Sequence, residues 1–171
     1  MSFAFDLHSV GLPEAAVAVE EVESRLSDAT VVLEAIHESF QAYERARFDA
    51  EGPGWAELAP STLAEKARKG YPSTILEASG ALLASLTVTD APGSVWEHTG
   101  TLAVMGTDLK PEHPGSGWED WALAAFHQQG TSRMPARPVI DIPAEAPLTW
   151  SQWWLDWMTG GVVPAYTGLN F

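Results

Sequence analysis

The sequence contains no cysteine and few basic residues. The lack of cysteine excludes disulfide bonds, thiolate metal ligands and cysteine nucleophiles together. Only 9 lysine and arginine residues stand against 23 aspartate and glutamate residues, which gives a formal net charge of −14. This balance repels the phosphates of nucleic acids, so a conventional DNA-binding protein is excluded as well.

Long hydrophobic runs are also missing. No stretch approaches the roughly 18 to 20 apolar residues of a membrane span, and the first ten residues have no basic segment typical of a signal peptide. Apolar material for a core is present, since 46% of the 171 residues are hydrophobic and eight are tryptophan. We therefore expect a soluble protein made in a cytoplasm, with no membrane partner.

Signals of catalysis and of cofactor binding are weak. The five histidines are scattered, with no HExxH motif and no i, i+4 pair that would present two ligands to a metal. Neither Ser79 nor Ser116 lies in a Gly-x-Ser-x-Gly elbow, and no Gly-Lys-Ser/Thr sequence marks a phosphate-binding loop. The sequence leaves open the alternative that two of the acidic residues form a catalytic pair of carboxylates. We expect no enzyme, no metal and no cofactor.

Periodicity predicts a helical stretch from Pro13 to about Asp49, either as one bent helix or as two in tandem. Apolar residues recur there at three- and four-residue spacing, and Ser27 with Asp28 interrupts the stretch because Ser and Asp favour helix caps. The other face is predicted to be a solvated surface. Its acidic residues are Glu20, Glu21, Glu23, Glu34, Glu38 and Glu44.

Short elements with clear end signals are expected in the middle of the chain. Thr62 with Glu65 reads as a capping box, and Gly70 ends the helix that it opens. Thr74 repeats the capping pattern before Gly80. Residues 86–89 are rich in β-prone side chains and predict a strand.

Further along, the sequence predicts a sheet, a loop and one more helix. Residues 94–98 and 101–105 are expected to form a hairpin, followed by a surface loop over 106–117. A helix capped by Ser116 is expected to end at Gly130. Residues 137–142 are then expected to form a last strand, with Pro138 either at its start or on an edge, where the missing N–H is harmless.

The C-terminal part is predicted to be a tryptophan-rich helix and an arm. Thr149 with Gln152 reads as its capping pair, and four tryptophans follow at i, i+3, i+4 and i+7 on one face. They are Trp150, Trp153, Trp154 and Trp157. Such stripes are usually core, but four on so short a helix favour a mixed role, partly in the core and partly against a neighbouring subunit.

These elements predict an α+β fold. A long or bent N-terminal helix is expected to pack on a small, mostly antiparallel sheet with short helices. We expect a single domain over residues 1–148, with the tryptophan-rich helix and the extended arm over residues 149–171.

An ordered series of small motifs runs through the predicted domain. Its members are Trp55, Leu58, Thr62, Lys66, Gly70, Leu76, Gly80, Leu82, Ala124, His127, Gln128, Gly130, Pro135, Ala136, Arg137 and Pro138. Taken singly, His127 is typical of a helix-end cation and Gly130 of a glycine that follows a helix. In this order, over roughly residues 50 to 142, the series resembles the phage virion morphogenesis family, which includes neck and tail-completion proteins of long-tailed bacteriophages.

The resemblance implies an α+β subunit of a closed ring, commonly sixfold, at the head-tail junction of a virion. The implied partners are further copies of the chain, a head-side connector, adaptor or stopper, and a tail terminator or tail tube. Genomic DNA would pass through the ring without specific binding. The charge of −14 then predicts an acidic lumen, lined by glutamates of the N-terminal helix or the hairpin, that denies the phosphates any counter-charge.

Other interpretations stay open. Within virions, the chain could form another neck layer, as a head-tail adaptor, a stopper or the tail terminator itself. From other classes come an acidic DNA mimic that inhibits a DNA-binding protein, and an enzyme. Dense carboxylates at phosphate-like spacing would favour the mimic, and a pocket that gathers ionisable side chains with perturbed pKa values would favour the enzyme.

Overall fold

The structure is a computed structural model that describes residues 12–111 and 122–163, and within these ranges it combines six helices with a two-stranded antiparallel sheet. The predicted α+β class is confirmed. In chain order the elements are α1 (Leu12–Ser27), α2 (Thr30–Asp49), α3 (Pro60–Lys69), α4 (Ala81–Thr87), β1 (Ser94–His98), β2 (Ala103–Thr107), α5 (Leu123–Gln129) and α6 (Ala146–Met158).

The N-terminal stretch consists of two helices that are separated where the sequence places its interruption. The Asp28 carboxylate accepts a hydrogen bond from the backbone N–H of Thr30 at 3.1 Å, which satisfies an amide at the start of α2. Ala29 is fully buried, and its N–H donates to the carbonyl of Gly100 at 2.7 Å. The tip of the hairpin therefore packs on the junction between α1 and α2.

Helix α2 contributes to two separate clusters of buried side chains. The first core consists of Phe40, Phe48, Trp55, Ile75, Leu82, Leu86, Ala124 and Val139. The second core consists of Val32, Ala35, Ile36, Trp153 and Val163. Because both clusters include residues of α2, this helix is the shared centre of the fold.

The strand predicted over residues 86–89 is wrong, because α4 extends through Thr87. Leu82 and Leu86 lie four residues apart on one face of α4 and are both buried in the first core. The Thr87 hydroxyl donates to the carbonyl of Leu83 at 2.8 Å, as helical hydroxyls often do. Burial of the two leucines outweighs the local preference for a strand.

The capping boxes predicted at Thr62 and Thr74 are wrong as well. Helix α3 begins at Pro60, so Thr62 lies inside its first turn and makes no cap. Thr74 does donate to the Glu77 carboxylate at 2.7 Å, but this pair closes a turn and no helix starts there.

The hairpin is confirmed, with its second strand two residues later than predicted. Strands β1 and β2 pair antiparallel with Trp96 opposite Met105, and Gly106 belongs to β2 rather than to the loop. The Trp96 ring stacks on His37 of α2, with ring centroids 4.0 Å apart, and so attaches the sheet to that helix. Half of the predicted 106–117 loop, from residue 112 onward, and the cap at Ser116 lie outside the described residues.

Helix α6 begins at Ala146 rather than at Thr149. Pro147 lies in its first turn, where the missing N–H of proline costs no hydrogen bond. The Thr149 hydroxyl donates back to the carbonyl of Glu145 at 3.2 Å inside the helix, so it is no cap. Within residues 12–111 and 122–163, no helix is both long and apolar enough to cross a membrane. The predicted arm lies beyond the described residues, apart from its first few.

Candidate functional site

The two ends of the motif series meet in space. Buried Trp55 donates a hydrogen bond from its indole N–H to the carbonyl of Pro138 at 2.9 Å. Arg137, also buried, donates from Nε to the carbonyl of Ala56 at 2.9 Å and from a terminal nitrogen to that of Glu57 at 3.1 Å. These contacts join segments about 80 residues apart in sequence into one structure.

Gln128 takes the place of a partner strand for residues 137–142, which do not form the predicted edge strand. Its Oε1 accepts the backbone N–H groups of Val139 at 2.8 Å and Ile140 at 3.0 Å, and its Nε2 donates to the carbonyl of Ile140 at 2.8 Å. One amide side chain therefore satisfies three backbone groups beside fully buried Val139.

Gly130 ends α5 at a position that excludes any side chain. Its φ is +69°, and a Cβ placed there would lie 2.6 Å from the backbone nitrogen of Ala136. The last turn of α5 also contacts this segment, because the carbonyl of His127 accepts a hydrogen bond from the N–H of Arg137 at 2.7 Å. The 127–130 and 135–138 motifs thus form a single close backbone contact.

Burial acts against the cation that the position of His127 at a helix end favours. It lowers the pKa of the imidazole, and the neighbouring charge of Arg137 lowers it further. Its Nδ1 finds no hydrogen-bond partner among the residues that the structure describes.

Lys66 holds the loop that follows α3. Its buried ammonium donates to the carbonyl oxygens of Thr74 at 2.6 Å and Glu77 at 2.7 Å. Burial lowers the pKa of Lys66, and the carboxylates of Glu77 and Glu51 act against that shift. Gly70, with φ of +72°, turns the chain back at the end of α3.

The remaining motif residues divide into core and surface. Leu82 and Ala124 belong to the first core, and Leu58 and Leu76 pack against it. Gly80 precedes α4 in the left-handed conformation, with φ of +78°. Thr62, Pro135 and Ala136 are exposed. Apart from these three, the motif residues therefore build the scaffold around the first core.

A cleft of about 610 Å³ opens among the same motif residues. Its charged lining consists of Lys66, Lys69, Lys110, Arg133, Arg137, Glu57 and Glu65. Five of the nine basic residues of the chain thus line one cleft of a strongly acidic protein. Two of the five, Lys66 and Arg137, are buried and bound to carbonyl groups, so the exposed positive charge comes from Lys69, Lys110 and Arg133. Several of the apolar lining residues are leucines, which give the cleft a hydrophobic wall.

The four tryptophans of α6 all contact helices of their own chain. Trp153 is buried in the second core, and Trp150, Trp154 and Trp157 pack against it. The Trp150 indole N–H donates to the Ser39 hydroxyl at 3.1 Å, which satisfies its polar group. Contact of these residues with a second subunit stays a prediction.

Helix α1 is attached to the rest of the chain through its last turns. The guanidinium of Arg25 lies 5.8 Å from the ring centroid of Trp157 and donates to its carbonyl at 3.1 Å. From residue 13 to residue 27, only Val22 and Arg25 are partly buried, and every other side chain is exposed. The exposed residues include Val17, Val19 and Leu26.

Glu44 was placed on the solvated face by the sequence, and this is wrong. The residue is fully buried, and neither carboxylate oxygen makes a hydrogen bond of normal geometry to a described residue. Burial raises its pKa to about 8, against the opposing effects of Arg47, 3.9 Å away, and of the nearby Asp141 amide. The sequence did contain an indication of this burial, because Glu44 lies four residues from both Phe40 and Phe48 and so shares their buried face.

Among the described residues, no group of three or more histidine, aspartate or glutamate side chains converges in a way that could bind a metal. The structure instead brings together backbone-binding side chains and a basic cleft. No protein-family model, no curated protein and no solved structure matches this chain.

Proposed function

We propose that this chain is a structural, non-enzymatic virion subunit that assembles into a ring at the head-tail junction of a tailed bacteriophage. The ring is expected to be sixfold and to act as a neck or tail-completion protein between the head-side connector and the tail. Its place of action is the virion neck, after synthesis in the host cytoplasm.

The exposed helix α1 carries this proposal. Helices of about 15 residues are marginal in water unless one face is packed, and only two side chains of α1 beyond its first residue are even partly buried. Val19 and Leu26 lie seven residues apart, on one face, with exposed fractions of 65% and 44%. A partner that covers this face would complete the packing that a single copy leaves open.

The roles of the motif residues also support an assembly protein. The polar groups of Trp55, Gln128 and Arg137 form hydrogen bonds with backbone atoms of their own chain. The ammonium of Lys66 does the same. Groups used in this way hold loops in place and are not free for a substrate. A ring subunit needs such fixed loops, because each must meet the same surface on every neighbour.

The distribution of acids fits passage of DNA through a ring. Exposed glutamates on α2 and on the hairpin are Glu34, Glu38 and Glu97. A lumen lined by such residues would offer phosphates no counter-charge, and so would not retain the genome.

The direct test is a particle and mass measurement. We expect the purified chain, alone or with its connector and tail neighbours, to form closed rings by native mass spectrometry and symmetric electron microscopy, and to be present in purified virions. Absence from virions, with a monomer at all concentrations, would refute the proposal. Competition with DNA for a nuclease or repressor by the monomer would favour a DNA mimic instead.

A further inference from the structure

We propose that the basic cleft receives helix α1 of the adjacent copy of this chain, so that the ring closes head to tail. This inference rests on the proposed function and names the surfaces through which its subunits meet. No residue of α1 lines the cleft of its own chain, so the two surfaces are distinct. Distinct, complementary surfaces on one chain form a heterologous interface, which is the type that generates rings.

Charge complementarity identifies the occupant. Of the five cationic side chains that line the cleft, Lys66 and Arg137 are buried and bound to carbonyl groups. The other three, Lys69, Lys110 and Arg133, are exposed beside two carboxylates, one of which, Glu65, pairs with Lys69 at 2.8 Å. Helix α1 carries four glutamates, at positions 14, 20, 21 and 23, and a single arginine. That arginine, Arg25, is already engaged with Trp157, so the exposed part of α1 is acidic. Opposite potentials of this kind select and orient partners.

Apolar groups match as well. The exposed face of α1 offers Val19 and Leu26, and the cleft wall offers Leu58, Leu76 and Leu123. Contact between these side chains would remove apolar surface from water on both partners. The cleft thus provides both kinds of contact that an amphipathic, acidic helix needs.

The arrangement also accounts for the negative charge of the proposed lumen. Covering the cleft with α1 places Lys69 and Arg133 in the interface between subunits. The acids of α2 and of the hairpin then remain uncovered for the channel. A ring without this contact would leave the exposed side chains of Lys69 and Arg133 where they could bind the passing phosphates.

Cysteine cross-linking tests the contact directly, because the chain has no cysteine of its own. Val19→Cys lies on α1, and Ala78→Cys lies on the exposed cleft wall. Mixing the two single-cysteine proteins under mild oxidation should give a disulfide-linked dimer that contains one chain of each. A protein with both cysteines should give a ladder that ends at the ring size. The matched control replaces Ala78→Cys by Asp90→Cys, which is also exposed but lies outside the cleft.

The outcomes separate this inference from the proposed function. Rings that form but cross-link no better through Ala78→Cys than through Asp90→Cys would overturn the α1-to-cleft contact and leave ring assembly standing. A chain that forms no ring, alone or with its neighbours, would overturn both.

Charge reversal gives a second, independent measurement. We expect Glu20→Lys with Glu23→Lys to weaken assembly about tenfold or more, and Arg133→Glu to do the same, because each places like charges in contact. Adding Arg133→Glu to the doubly reversed α1 should recover most of the loss. The control pair, Glu34→Lys with Glu38→Lys, makes the same charge change on exposed positions of α2 and should leave assembly unchanged. Equal loss in test and control variants, without recovery, would contradict the proposed contact.

Discussion

The regions around the two cores are stabilised in different ways. Around the first core, loops and short helices are fixed by side chains that bind backbone groups, as Gln128, Arg137 and Lys66 do. Around the second core, α2 and α6 meet mainly through tryptophan and aliphatic side chains. The difference shows what each kind of structure requires: irregular backbone needs partners for its polar groups, whereas helices satisfy their own and need apolar contact.

The largest effect on the free energy of unfolding is expected from a substitution in the second core. Trp153→Ala removes a side chain that is only 9% exposed, and it should lower the free energy of unfolding by about 4 kcal/mol, because the cavity cannot fully close. Leu155→Ala, on the same helix and 55% exposed, is the matched control and should cost little. Urea unfolding followed by far-ultraviolet circular dichroism measures both. Equal losses would show that the second core does not depend on buried aromatic area.

A slightly smaller effect is expected from the main polar contact around the first core. Gln128→Leu keeps the size of the side chain but leaves the N–H groups of Val139 and Ile140 without a partner, which should cost about 3 kcal/mol. Gln129→Leu, at the neighbouring exposed position, is the control. If Gln128→Leu were as stable as the native protein in the same urea experiment, the contrast between the two regions would be lost.

Replacement of Glu44, beside the first core, is expected to change stability in the opposite direction. It should raise the free energy of unfolding, whereas the two preceding substitutions should lower it. The Glu44 pKa of about 8 in the folded protein is above the ordinary value of 4.5, so between these values the folded state holds a proton that the unfolded state releases. Stability should therefore fall as pH rises from 4.5 to 8.

Glu44→Gln should remove this fall and gain on the order of 2 kcal/mol at pH 8, with little gain at pH 4.5. Thermal unfolding across this pH range measures the change, and Glu38→Gln at an exposed site of α2 is the control. An unchanged pH dependence in Glu44→Gln would show that Glu44 is not the group that titrates.

The smallest effect is expected at the attachment of α1. Arg25→Ala removes a cation over the Trp157 ring and one hydrogen bond, which together should cost about 1 kcal/mol. Hydrogen exchange of the α1 amides should accelerate, whereas amides of α2 should be unaffected. Glu21→Ala, an exposed position on the same helix, is the control. Acceleration confined to α2 would place the attachment of α1 elsewhere.

Much of the fold was predictable because local chemistry determines it. Gly70 and Gly130 end their helices as expected, Asp28 lies at the break between α1 and α2, and the hairpin is present. These features depend on residues close together in sequence, where backbone conformation and capping decide the outcome.

Other features depend on contacts between distant residues. The strand predicted at 86–89 does not form, and its first two residues end α4, because Leu86 packs on residues far away in sequence. Residues 137–142 form no strand because Gln128 supplies their hydrogen bonds. The basic cleft combines Lys66 with Arg133, and no local pattern indicates that they line one cavity. The ordered motifs identified many residues around the cleft without indicating that they enclose it.

Helix α2 restricts where residues can be inserted into the chain or deleted from it. It supplies residues to both cores from different positions along its 20 residues. A single residue inserted midway would rotate everything beyond it by about 100° and shift it by about 1.5 Å. Phe40 and Phe48 would then leave the first core whenever Val32 and Ile36 kept their places in the second. Insertions and deletions should therefore be tolerated in the surface turns and rejected within this helix.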